Sequence, residues 1–169
     1  MRLVFLAASG ALALAGCGVR HDIEFARGCW AEHVSPGGPV VAMLRLLPDR
    51  EGRETYSGVL SRYLEGAPQG QPIEYTLALD GSVLETRPVD PDAPADAKRA
   101  PADRFNASKP PALASEQAAP GEMIAAFLST QGKGWTVLAG GGDHLAIYTV
   151  LGDGGMGSTL FYGERDGCD

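Results

Sequence analysis

The chain has 169 residues, a formal net charge of −7, and 44% hydrophobic against 21% charged residues. That length suits one ordinary domain, and the acidic balance argues against nucleic acid and against electrostatic adhesion to anionic lipid.

Residues 1–16 open with the basic Arg2 and run on through Leu3 to Leu14, apolar or small apart from Ser9 and Gly10. About a dozen helical residues span ~18 Å, well short of a ~30 Å hydrocarbon core. The segment therefore reads as a secretory signal, with a buried N-terminal element as the alternative. Leu14-Ala15-Gly16-Cys17 resembles the lipobox of bacterial lipoproteins at all four positions. The resemblance implies cleavage before Cys17, a diacylglyceryl group on its thiol and an acylated new amino terminus. Each buried methylene adds about 0.8 kcal/mol, and two or more chains hold firmly where one binds reversibly. Gly18, in place of an aspartate, resembles the outer-membrane-directed form. The implied setting is the bacterial cell envelope, lipid-anchored and periplasm-facing, at the outer membrane rather than the inner.

In that oxidising setting, with Cys17 carrying lipid, Cys29 and Cys168 read as a disulfide. The bridge would join the start of the folded part to its last residues. Residues 17–27 read as a tether of mixed charge, and 28–169 as a single β-rich domain.

Within that domain "PVVAMLRLL" (39–47) is an apolar run suited to a buried strand. "TYSGVLSRYL" (55–64) is β-branched and aromatic, and reads as a strand in which Gly58 marks a bulge or bend. In 73–87, Ile73, Tyr75, Leu77 and Leu79 alternate with Glu74, Thr76 and Ala78. Asp80-Gly81 then separates them from a second alternating run. This predicts a hairpin with a type I′ turn. Residues 88–120, rich in Pro, Ala and Asp, read as a long low-complexity excursion with a helical turn near 96–103. Met123, Ile124, Phe127 and Leu128 sit at helical spacing behind Pro120, which predicts a short helix over 121–130, with a strand as the alternative. "GWTVLAG", "HLAIYTVLG" and "STLFYGERDGC" read as three closing strands joined by Gly-rich turns.

Seven or eight short strands and one helix predict a mainly β fold, a small antiparallel barrel or a sandwich. A bridge between the ends favours the barrel, where first and last strands are neighbours. Gly28-Cys29-Trp30 resembles the Gly-x-Trp that opens the lipocalin and wider calycin families. The resemblance implies a lipocalin-like barrel whose closed end is plugged by Trp30, with Arg165 from the last strand lying across it. The lipocalin Thr-Asp-Tyr motif is absent, and the expected helix precedes the last three strands instead of following the eighth.

Signals for catalysis are weak. Glu32-His33 and Asp143-His144 pair an acid with a histidine, and His21 falls in the tether; solvated loop positions account for all three. No HExxH, CxxC or Gly-x-Ser-x-Gly occurs, and "AGGGDH" (139–144) lacks the lysine and setting of a phosphate cradle. Tyr56, Tyr63, Tyr75, Trp135, Tyr148 and Tyr162 suit strand packing or the lining of a ligand cavity. Neither a metal site nor a cofactor is expected. The expectation is a non-enzymatic envelope lipoprotein, attached to the membrane by its lipid, that binds a small apolar ligand or a peptide. The alternative is an accessory subunit of an envelope protein complex.

Overall fold

The structure, a computed structural model, describes residues 18–50, 54–63, 72–89 and 102–168. Residues 1–16, read as a secretory signal, and Cys17 lie outside the described residues. Ten strands form one closed antiparallel barrel. In chain order they are β1 (Gly28–His33), β2 (Val40–Pro48), β3 (Thr55–Arg62), β4 (Ile73–Asp80), β5 (Val83–Val89), β6 (Asp103–Ser108), β7 (Met123–Ser129), β8 (Gly134–Gly141), β9 (His144–Leu151) and β10 (Met156–Asp166). Each strand pairs with its sequence neighbours, and β10 pairs with β1 through Trp30↔Arg165 to complete the ring. Closure leaves no strand of the ring with an open edge, which is the physical return on an up-and-down topology.

Period-two alternation decides which side chains enter the barrel. On β2, Ala42, Leu44 and Leu46 are buried while Met43 and Arg45 are exposed. The interior cluster continues through Tyr56, Leu77, Leu79, Leu84, Phe127, Leu138, Leu145 and Phe161. The outer wall carries Arg45, Glu85, Arg87 and Arg104. Apolar inside and charged outside is the arrangement of a barrel in water, the reverse of one facing lipid.

A second, smaller cluster lies on the outside of β7, β8 and β9. There Leu113 and Ala114 of helix α1 (Ala112–Gln117) pack with Ala126, Val137, Ala139, Tyr148 and Val150. This cover explains two corrections. Residues 123–129 form strand β7, not a helix, because both of its faces are buried and the alternation is masked. Among the described residues the one α-helix lies instead at 112–117, inside the stretch read as a low-complexity excursion. Strand β6 lies there too, its Phe105 and Ala107 packed against the interior. Of the excursion read over 88–120, residues 90–101 lie outside the described residues, so only the part of the expected turn at 102–103 is described, and it carries no helix.

The folded body also begins earlier than Gly28. Within the tether read over 17–27, Ile23 and Ala26 are buried in the barrel core, around a 3-10 turn at Glu24–Ala26. Two further local readings change. The β4–β5 hairpin is present in register, Leu79↔Leu84, but among the described residues no non-glycine has positive φ and Gly81 does not either, so the turn is not type I′. The Asp80 carboxylate instead accepts from the N–H groups of Ser82 (2.6 Å) and Val83 (2.9 Å). Gly81 is required for another reason, since a Cβ there would stand 2.4 Å from the His21 carbonyl oxygen. At Gly58 the ladders to β2 and β4 run without a break, so there is no bulge.

Candidate functional site

The two ends of the barrel differ. At one end lie the β4–β5 and β8–β9 turns, the start of β1 and the end of β10, and this end is sealed. Trp30 is 1% exposed and donates its indole N–H to Ala26 O at 3.0 Å. Arg165 lies over its ring, 4.3 Å from the centroid, and donates to Gly142 O (3.1 Å) and Arg27 O (3.2 Å). Gly28 makes this geometry accessible: its φ is +138°, and a Cβ would meet the guanidinium at 2.8 Å. A side chain at position 28 would thus displace the arginine from the tryptophan. Cys29 and Cys168 are bonded at this same end, with Cα atoms 5.3 Å apart at a sequence separation of 139.

Residues 20–27 cross the sealed end as a strap. The His21 backbone N–H donates to Gly81 O at 2.8 Å. Its ring Nε2 lies 3.0 Å from Ser108 O and 2.9 Å from Ala126 O. The Ala126 N–H donates to the same ring nitrogen at 3.2 Å, so His21 ties the strap to β6 and β7. Tyr56 donates its hydroxyl to the Glu24 carboxylate. That bond holds Glu24 below the ordinary carboxylate range, while burial, followed by the same bond, pushes Tyr56 up to about 12.

The opposite half is open. A cavity of about 720 Å³ occupies the interior there. Leu60, Tyr75, Leu77, Leu84, Phe105, Leu138 and Ile147 supply apolar walls, and Thr86, Ser129, Thr136, Thr149 and Thr159 supply hydroxyls. Arg62 and Lys133 mark its rim. Arg62 is not free: it pairs with Glu32 at 3.1 Å and donates to Leu160 O. An apolar cavity of this size with a few fixed polar groups is what a small-molecule site requires.

Of the aromatic candidates, Tyr75 and Trp135 border the cavity, and Tyr56 is buried at the sealed end. Tyr148 packs in the outer cluster, while Tyr63 and Tyr162 are exposed. The acid–histidine pairs do not converge. His33 is an exposed residue bonded to Gly38 O at 2.8 Å. His144 pairs with Glu122 at 2.7 Å on the outer wall, a partner that its neighbour Asp143 had obscured. The bond to Glu122 raises His144 above the ordinary histidine range, and the same bond holds Glu122 low. Among the described residues, no group of three or more His, Cys, Asp or Glu is placed to hold a metal ion. The cavity residues gave no motif; only their inward phase along each strand marks them.

No protein-family model matches the chain, nor does any curated protein or solved structure, so the functional reading rests on geometry.

Proposed function

We propose that this protein is a lipid-anchored envelope protein, acylated at Cys17, whose barrel takes a small apolar ligand through its open end. The anchor rests on the resemblance of Leu14-Ala15-Gly16-Cys17 to a lipobox, and the single observation behind the ligand is the apolar cavity of about 720 Å³ in a barrel sealed at its other end. A ligand there gains by burying its apolar surface at about 25 cal/mol per Å², and the threonine hydroxyls orient it. An accessory subunit that used only its outer surface would have no need of that void, and so ranks second. The sealing of Trp30 beneath Arg165 agrees with a lipocalin-like relationship, which we propose on the two chain ends alone.

Titration with an apolar naphthylamine fluorophore tests the proposal. The folded protein should take up one equivalent with enhanced emission. Leu60→Trp, which fills the open half, should weaken uptake at least about tenfold, or ~1.4 kcal/mol, while its circular dichroism stays that of the wild type. Absence of saturable uptake by the folded wild type, or unchanged uptake by Leu60→Trp, would count against a ligand cavity.

A further inference from the structure

The anchor and the barrel are joined by a very short link, and its attachment point is known. His21 is fixed at the sealed end through Gly81, Ser108 and Ala126. Position 21 lies 21 − 17 = 4 steps beyond Cys17, and four extended residues reach at most ~14 Å. Strand β3, with 8 residues, carries the wall ~20 Å along the barrel axis at ~3.3 Å per residue and ~40° tilt. The link is shorter than the wall. If the mouth were laid on the bilayer, the sealed end would stand ~20 Å above it, beyond what the link can span.

We infer that the sealed end is the membrane-facing surface, held against lipid headgroups, and that the mouth opens into the aqueous space. This inference rests on the acylation of Cys17 proposed above. Val19, 44% exposed beside the anchor, falls on the membrane side. Val34, Ile73, Leu151 and Met156, exposed at the strand ends around the mouth, fall on the far side. A ligand therefore enters from the aqueous side and not sideways from the bilayer that holds the anchor. The disulfide Cys29–Cys168 also lies at the membrane-facing end, where it fastens both termini of the ring to the anchored side.

Energy transfer to the membrane surface tests this orientation. Full-length acylated protein is placed in vesicles of phosphatidylethanolamine and phosphatidylglycerol carrying a headgroup acceptor. A donor is attached at Asp143→Cys, exposed at the sealed end, or at Gln131→Cys, exposed at the mouth. Transfer from position 143 should be several-fold stronger than from position 131. Equal transfer, or stronger transfer from 131, would overturn the orientation while leaving the anchor intact. Intact mass on the same preparation separates the two claims, because an unacylated chain that stays off the vesicles would overturn the anchor and the orientation together.

Discussion

At the sealed end the inward positions are large: Trp30, Leu46, Leu79, Leu145 and Phe161 are each no more than 1% exposed. Towards the mouth, inward positions on the same or adjacent strands are Thr86, Ser129, Gly134, Thr136 and Thr149. Backbone closure is the same at both ends, so side-chain volume makes one half solid and leaves the other hollow. Close packing supplies stability where the chain ends meet, and small hydroxyl-bearing residues leave room where a ligand can enter.

Substitutions can break this contrast in order of size. Removing the bridge with Cys29→Ser and Cys168→Ser should cost the most. Its loop of 139 residues corresponds to about 5 kcal/mol of chain entropy, measurable as a lowered guanidinium midpoint. Next, Trp30→Ala should cost about 4 kcal/mol, since it empties the plug and leaves Arg165 without its ring. At the mouth, Leu60→Ala should cost only about 1 kcal/mol, because that side chain already borders a void; equal losses at positions 30 and 60 would erase the distinction between the ends. Arg165→Ala should cost a similar or smaller amount, about 0.5–1 kcal/mol for its exposed cation–π contact.

The smallest effect concerns the His144–Glu122 pair outside the barrel. His144 is raised from its ordinary value of 6.5, so its contribution is full below that pH and is lost as pH rises through the folded value. Glu122 is lowered from 4.5, so its contribution is full above that pH and is lost as pH falls through the folded value. Stability, followed by thermal midpoints, should therefore gain most from the pair between pH 4.5 and 6.5, by about 0.5–1 kcal/mol. Glu122→Gln should flatten that part of the profile.

Much of the barrel was legible because alternation is explicit where one face is wet. Strand β4 shows it, with Glu74 and Thr76 between Ile73, Tyr75 and Leu77, and so does the position of Cys29 and Cys168 at opposite chain ends. Strand β7 was not legible because helix α1 covers its outer face, leaving Ala125, Ala126 and Phe127 buried in succession. Strand β6 hid among prolines and alanines because one large residue, Phe105, suffices for a strand of 6 residues. Trp30 and Arg165 could be paired through a motif and a chain end. The cavity could not be read in advance, since small inward residues announce a void only once the ring's register is known. The strap was missed for a related reason: Ile23 and Ala26 carry no periodic signal, and their burial depends on the whole barrel closing above them.

Native mass spectrometry of the purified protein tests the ligand cavity most directly. A folded monomer carrying one non-covalent apolar adduct, displaced by the fluorophore and absent from Leu60→Trp, is the result predicted. Folded protein at its bare mass that takes up no apolar molecule when offered one would contradict it.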